Sequence, residues 1–344
     1  MTTAPTLLIE EFMQAAKSQP IFDVRTPSEF AHAHIPMARN LALFSDEERA
    51  IIGTAYKQES REKAIMHGFE FFGPKMKVLV EAALAQSEGK DVLVHCWRGG
   101  MRSSAVSWLL NFYGITARML EGGYKSFRNY ALRSFDIPQH LLIIGGKTGS
   151  GKTHILKEIK KLGEQTIDLE AIAVHKGSSF GGLGMPAQPT QEQFENNLAI
   201  ESRSINSNQP LWLEDESRKI GMMMLPEGLF KQMRTARVIV LDVPLEKRIA
   251  AIVEDYASAD IGELHNSILK IRERLGGLQT KMALEELSHE RFAECFEILL
   301  KYYDKTYQFG LAKRAPETLF HLNLTGNNAE ENAQRIVDFA KTIA

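Results

Sequence analysis

The run Gly146-Lys147-Thr148-Gly149-Ser150-Gly151-Lys152-Thr153 restricts this chain more than any other stretch of it. It follows the apolar segment His140 to Ile144, which reads as a buried strand, and leads into His154-Ile155-Leu156, the start of a helical pattern. Glycines at such a join let successive backbone N–H groups turn toward one point, where the following helix presents the positive end of its dipole. The pattern G-x-x-x-x-G-K-[ST] in that context is a phosphate cradle. Gly146, Gly149, Ser150 and Gly151 shape it, Lys152 neutralises a di- or triphosphate, and Thr153 is placed to hold a magnesium ion. Strand, loop and helix in that order predict an α/β domain. Downstream, Glu214-Asp215-Glu216 follows the short strand Leu211 to Leu213. Asp215 is therefore a candidate for metal-bound water, although acidic residues there serve equally as helix caps or a solvated turn. Arg248, at the end of Leu241-Asp242-Val243-Pro244-Leu245-Glu246-Lys247-Arg248, is placed either to reach phosphate or to face solvent.

A second loop of the same kind is His95-Cys96-Trp97-Arg98-Gly99-Gly100-Met101-Arg102-Ser103, between the strand Val92 to His95 and the helical run Ser104 to Phe112. Here a thiol stands at the centre of the cradle. Backbone amides freed by Gly99 and Gly100, the helix N-terminus and the Arg102 charge all favour an ionised Cys96. The same groups, with Arg98, would bind the oxyanion that the sulfur attacks. A cysteine that only packs in a core needs neither glycines nor arginine beside it. Cys295 is the contrast: it shares an apolar helical face with Phe292, Phe296, Leu299 and Tyr303, and is expected to be core. Two cysteines without a C-x-x-C or Cys/His cluster exclude a disulfide framework and a structural zinc site.

A length of 344 residues fits two domains. Early strands (Ile21 to Val24, Val92 to His95) alternate with helices (Val78 to Ala85, Ser104 to Phe112), and Arg133 to Gln139 contains Pro138 and has no period. The domains are placed at 1–135, carrying the Cys96 loop, and 136–344, carrying the cradle at 146–153. In the second, strands are expected near Gln165 to Ile172, Leu211 to Leu213 and Val238 to Asp242, with a long helical part beyond Leu245. Lys176 to Thr190, rich in Gly, Ser and Pro, reads as a loop of the lid or binding type. Hydrophobic residues make up 44% and charged residues 24%, as in ordinary globular domains. No apolar run approaches the ~18 residues that span a bilayer, and Met1 to Glu10 lacks a signal-peptide pattern, so a cytoplasmic protein without membrane contact is expected. The net charge of −2 hides an asymmetry, since His95 to Lys161 holds 11 Lys and Arg against 3 Asp and Glu. Positive charge so concentrated marks either a polyanionic partner or solvated helix faces.

Residues 5 to 130 resemble a rhodanese. The resemblance rests on Asp23-Val24-Arg25, Glu29-Phe30, His34-Ile35-Pro36, Ala38-Arg39-Asn40, the cysteine loop and Glu121-Gly122-Gly123-Tyr124. It implies a cysteine that carries sulfur or selenium as a persulfide or perselenide. Ala33 and Met37 stand where glycines are common in that family. The C-x5-R loop is also one residue longer than the usual sulfurtransferase loop, a length found in phosphatases on this fold and suited to a tetrahedral phosphorus oxyanion.

The whole chain is similar to the tRNA 2-selenouridine synthase family. Beyond the two loops, the similarity runs through Gly53-Thr54-Ala55-Tyr56-Lys57-Gln58, His175-Lys176-Gly177-Ser178-Ser179-Phe180-Gly181, Gln188-Pro189-Thr190-Gln191, Phe194-Glu195, Glu214-Asp215-Glu216-Ser217-Arg218 and Arg274-Leu275-Gly276-Gly277. That resemblance implies a rhodanese-like α/β domain followed by a P-loop NTPase-like α/β domain with a helical C-terminal part. It implies a transferase that replaces sulfur by selenium at C2 of the wobble 2-thiouridine in tRNAs for Lys, Glu and Gln, by way of an S-geranyl intermediate. Selenophosphate and geranyl diphosphate are then co-substrates, with no tightly bound cofactor and magnesium as an option. A selenophosphate-supplying synthetase is an accessory partner, and the protein is expected to be a monomer. Under this reading Cys96 is catalytic and accepts selenium from selenophosphate, while Arg98, Gly99, Gly100 and Arg102 hold the phosphate oxygens. The P-loop takes the diphosphate of the geranyl donor, although its motif fits ATP equally. Contacts to tRNA fall on Arg118, Lys125, Arg128, Arg133, Lys157, Lys160 and Lys161, with Trp97 or Phe180 to stack on the unstacked base.

Other readings stay open: a C-x5-R phosphatase or a sulfurtransferase coupled to a nucleotide-binding domain, and a non-catalytic rhodanese-like interaction module. The phosphatase needs a general acid, and no Asp or Glu lies inside the loop. The interaction module has no need of Cys96.

Overall fold

The computed structural model describes residues 5–87, 91–256, 259–324 and 328–343. Two compact units emerge, Met1–Ser134 with Glu195–Ile200, and Phe135–Phe194 with Glu201–Ala344. Both are α/β, each with one five-stranded parallel sheet.

In the first unit β1 (Thr6–Leu7), β2 (Ile21–Asp23), β3 (Arg39–Asn40), β4 (Val92–His95) and β5 (Ala117–Leu120) lie in the order β1-β5-β4-β2-β3. Parallel strands covered on both faces read as continuous apolar runs, which is why Val92, Leu93 and Val94 are all fully buried. The chain leaves β2 for β3 on one side and returns to β4 on the other. The carboxyl ends of β2 and β4 therefore flank the point where the winding reverses, where open α/β sheets place their ligands. Asp23 and His95 are register partners there, one residue before Cys96.

Between β3 and β4 run the helices Asp46–Gln58, Arg61–Phe72 and Met76–Ser87. Ser45 and Glu48 form a capping box at the first, and the Ser60 side chain caps the second by accepting from the Lys63 N–H. Sequence periodicity signals only the third. The first two leave Ile51, Tyr56, Met66 and Phe69 exposed, which spoils the apolar period of a helix packed on a core.

In the second unit β6 (Leu141–Gly146), β7 (Gln165–Thr166), β8 (Leu211–Glu214), β11 (Arg237–Asp242) and β12 (Leu319–Asn323) lie in the order β12-β11-β6-β8-β7. A separate antiparallel pair, β9 (Lys219–Ile220) and β10 (Met223–Met224), turns at Gly221. The winding reverses at β6, so the loop at its carboxyl end sits at the switch point of this sheet. The expected strand near Gln165 to Ile172 is only Gln165–Thr166. Asp168 accepts from the Ala171 N–H and starts the helix Leu169–Ala173 instead. Strand β12 interrupts the stretch read as helical beyond Leu245. Residues between Val174 and Thr190 form turns without helix or strand. Cys295 packs with Phe296, Leu299 and Leu300 in the core of the helical part, and no helix among the described residues is long and apolar enough to cross a membrane.

Candidate functional site

Cys96 directly follows β4 and is 3% exposed, in the same apolar cluster as Val94 and Val106. It nevertheless lines a cavity of about 980 Å³ together with Trp97, Arg98, Gly100 and Arg102. Its Sγ lies 3.3 Å from the Ser103 Oγ, which donates to the Gly100 carbonyl at 2.9 Å. The helix Met101–Tyr113 starts at Gly100, so its unpaired amides face this loop. The turn Gly122-Gly123-Tyr124 clasps the loop from behind, with Tyr124 N–H donating to Cys96 O at 2.8 Å and Lys125 N–H to Trp97 O at 3.0 Å. Gly123 is required at that clasp: its φ is +61°, and a Cβ would stand 2.4 Å from the Cys96 carbonyl oxygen.

Asp23, Arg25 and Glu29, which support the loop together with His95, were legible in sequence only as parts of a resemblance. Arg25 donates from Nε to both Asp23 oxygens at 2.9 Å, and its guanidinium lies 4.0 Å over the Tyr124 ring. Burial raises Asp23, but His95 and Arg25 together hold it below the ordinary carboxylate value. Burial lowers His95 against the pull of Asp23, whose Oδ2 lies 3.8 Å from the fully buried imidazole. Arg102 is tied to Glu29, with Nη2 3.2 Å from Oε1. Burial raises Glu29, and the Arg102 hydrogen bond and charge outweigh it to leave the carboxyl below its usual value. Glu29 is thus ionised and orients Arg102, which disqualifies it as the general acid a phosphatase would need.

The cradle of the second unit follows β6. Lys152 reaches back to donate to the Gly146 carbonyl at 3.1 Å, and Gly146 N–H donates to the Tyr307 hydroxyl at 2.7 Å. Gly149 has φ +80°, and a Cβ there would meet the Arg248 carbonyl oxygen at 2.6 Å. The Arg248 side chain is buried and donates to the Thr148 carbonyl at 3.1 Å and to both Asp304 oxygens at 2.8 Å. Arg248 therefore supports the loop from behind rather than facing solvent. Tyr307 and Asp304 were invisible in sequence because they lie more than 150 residues away on the helix Phe292–Leu311.

Asp215 does not stand beside Thr153. Its carboxylate pairs with the buried Arg314 at 2.6 Å, which removes it from the cradle. The residues that do reach Thr153 are Glu170 and Glu214, whose carboxylates accept from its hydroxyl at 3.1 and 3.3 Å. Glu170, Glu214 and Glu216 bring ligand oxygens within 4.8 Å of one another. Burial pushes Glu214 up to about 7, opposed by Lys152 and reinforced by Glu170; burial and then both neighbouring carboxylates raise Glu216 well above its usual range. The buried Glu214 Oε1 has no hydrogen-bond partner. An all-oxygen set with a hydroxyl, crowded carboxylates and an orphaned buried oxygen fits a hard divalent cation such as magnesium.

Of the basic residues expected to meet RNA, Lys125, Arg133, Lys157, Lys160 and Lys161 are exposed. Arg118 donates to Gln19, and Arg128 is engaged by Glu195 and Asn196. Trp97 is 40% exposed, but Phe180 is 3% exposed among Tyr256 and Phe296 and has no face free for a base.

Family models match both parts of the chain. The rhodanese-like domain model matches residues 8–130, and the model described as the tRNA 2-selenouridine synthase AAA domain matches residues 139–334. The chain is 35% identical over 350 residues to the tRNA 2-selenouridine synthase of Bdellovibrio bacteriovorus, covering 88% of this chain and 91% of that protein. The chain belongs to the tRNA 2-selenouridine synthase family. Members from Proteus mirabilis (35% identical, 89% of this chain and 92% of that protein) and Nitrosomonas europaea (36%, 81% and 73%) carry the same name. Within this family the Cys96 loop falls in the rhodanese-like domain and the Lys152 cradle in the AAA domain.

Proposed function

We propose that this protein is an enzyme that modifies tRNA, exchanging the sulfur of the wobble 2-thiouridine for selenium in tRNAs for Lys, Glu and Gln. The observation that carries the reading is one chain of this family with two anion cradles, one around a cysteine and one around a P-loop lysine. Bare sulfide is a poor leaving group from C2, so the sulfur is first alkylated. Geranyl diphosphate supplies the alkyl group, and the cradle at Gly146 to Thr153, with Lys152, stabilises the departing diphosphate. Thr153, Glu170 and Glu214 would hold the magnesium ion, which supplies charge neutralisation at the diphosphate.

The loop of Cys96, with Arg98, Gly99, Gly100 and Arg102, then holds selenophosphate. Its selenium attacks C2, forming C–Se as C–S breaks and the alkyl thiolate leaves. Cys96 thiolate next attacks phosphorus; the Se–P pair returns to selenium, and water releases phosphate from the sulfur. Every atom keeps its oxidation level on this route; the expectation that Cys96 itself accepts selenium is replaced here, because a perselenide made directly from selenophosphate would leave phosphorus reduced by two electrons. The exposed Lys125, Arg133, Lys157, Lys160 and Lys161 supply charge for the tRNA backbone, and Trp97 an aromatic face for the base. The reading places the enzyme in the cytoplasm as a monomer, fed by a selenophosphate-supplying synthetase.

The experiment is nucleoside mass spectrometry of 2-thiouridine tRNA incubated with the pure protein, selenophosphate and geranyl diphosphate. Selenouridine that requires both co-substrates is the expected product. Unchanged 2-thiouridine, or ATP serving in place of geranyl diphosphate, would overturn the reading.

A further inference from the structure

The cavity that ends at Cys96 is far larger than a selenophosphate ion needs. Its volume of about 980 Å³ lies at the upper end of the range for small-molecule pockets. Phe44, Ile52, Tyr56, Ile65, Phe69 and Phe72 are among its walls, contributed mainly by the two helices Asp46–Gln58 and Arg61–Phe72. Each of these helices carries an interior glycine, Gly53 and Gly68, and both line the cavity. A glycine inside a helix costs stability relative to alanine; at Gly53 an added Cβ would stand 2.8 Å from the Arg49 guanidinium, whereas beside Gly68 open volume is the evident return. At Gly68 an added Cβ would reach only the Phe44 ring, at 3.9 Å, so the space is open rather than tightly packed. Tyr56, Phe69, Trp97 and Met101 remain exposed around it. Gly53-Thr54-Ala55-Tyr56-Lys57-Gln58, a stretch that neither cradle uses, contributes five of its six residues to the lining.

The ligand chemistry follows from walls and rim together. Walls of this kind take a hydrocarbon, while Arg49, Lys57, Arg61 and Arg98 also line the cavity and suit an anion. The occupant is therefore an amphiphile with an apolar chain and attached phosphates, whose reacting atom lies at Cys96. We propose that this cavity binds the alkyl chain on the sulfur of the S-alkylated wobble thiouridine, with the basic rim toward the flanking RNA phosphates. The inference rests on the alkylated intermediate of the preceding subsection. It gives that chain a second purpose beyond making sulfur a better leaving group: burying it anchors C2 beside the loop and keeps water from competing with selenium.

Binding and turnover separate the inference from the reading beneath it. Anticodon stem-loop RNAs carrying S-methyl- or S-geranyl-2-thiouridine are titrated into the full-length protein without selenophosphate and followed by fluorescence anisotropy. The S-geranyl RNA is expected to bind at least about tenfold more tightly than the S-methyl RNA, the scale of several buried methylenes after losses to ordering. Gly68→Leu fills the cavity and Phe69→Ser strips an exposed part of its wall. Each is expected to cut the preference to about threefold or less, a comparison within one protein that general loss of fold does not mimic. Equal affinities for the two RNAs on the unaltered protein, or a preference that survives both variants, would overturn the inference. Selenouridine formation from the same RNAs is read separately. Tight, variant-sensitive S-geranyl binding without turnover keeps the pocket and removes the selenation reading, whereas turnover without chain preference does the reverse.

Discussion

The Thr153 hydroxyl donates to Glu214 at 3.3 Å, and this bond joins the phosphate cradle to a carboxylate at the end of β8 that burial pushes up to about 7. A carboxyl raised in the fold above its unfolded value stabilises the fold fully only while protonated, and that stability is lost as pH rises through the folded value. Without divalent cation, the melting temperature is therefore expected to fall by several degrees between about pH 5 and about pH 8. Magnesium should raise it more at the alkaline end, where the carboxylates are charged. Glu214→Gln should remove part of the slope, Glu216 supplying the rest, and most of the magnesium response. Calorimetry showing the same melting temperature across this range, with and without magnesium, would remove the cation site.

The two cysteines are expected to differ in chemistry. Cys96 lines a cavity with four arginines, whereas burial pushes the Cys295 thiol up to about 12. Iodoacetamide at neutral pH should modify Cys96 and spare Cys295 in the folded protein, as read by peptide mass spectrometry. Cys96→Ser should lower selenouridine formation about a thousandfold or more, and Cys295→Ser by no more than about twofold. Full activity in Cys96→Ser would take the residue out of the mechanism.

The P-loop backbone is held by side chains from distant segments, chiefly Arg248 and its partner Asp304. Asp304→Ala leaves a buried guanidinium unpaired and is expected to cost about 3 kcal/mol in urea unfolding. Tyr307→Phe loses the single bond from Gly146 N–H and should cost about 1 kcal/mol. Calorimetric titration with inorganic pyrophosphate should show affinity about tenfold weaker for Asp304→Ala, since the loop amides lose their fixed aim. Unchanged pyrophosphate affinity in a destabilised variant would confine the pair to a structural role.

These supports explain what could and could not be read from the sequence. Both cradles announce themselves locally, because strand, glycines, charged residue and helix lie within about ten consecutive residues. Partners brought in by topology leave no such trace: Glu29 meets Arg102 from 73 residues away, and Glu170 meets Thr153 across a strand crossover. Asp215 was plausible as a metal ligand because it follows β8. Alternation along that strand end sends Asp215 to Arg314 and turns Glu214 to Thr153 instead. Phe180 failed as a stacking residue for a similar reason, since a loop rich in glycine still needs one apolar anchor and Phe180 supplies it.

Met37 and Ala33 both replace glycines common in rhodaneses, yet only one of them sits where glycine matters. Ala38 N–H donates to the Ile35 carbonyl at 2.9 Å, closing a turn with Pro36 and Met37 at its centre. Met37 has φ +71°, the position at which such a turn after proline favours glycine. Its side chain is 66% exposed, so little packing offsets the strain. Ala33, by contrast, is extended at φ −168°, where any residue fits, and is 1% exposed with its carbonyl accepting from Arg25. Met37→Gly is expected to stabilise the protein by about 0.5–1 kcal/mol, the relief of left-handed strain exceeding the added freedom of the unfolded chain. Ala33→Gly should destabilise it by about 0.5–1 kcal/mol, because it adds that freedom and relieves nothing. Chemical denaturation of the two variants beside the parent separates the effects. Equal destabilisation by both would mean that the left-handed turn stores no strain.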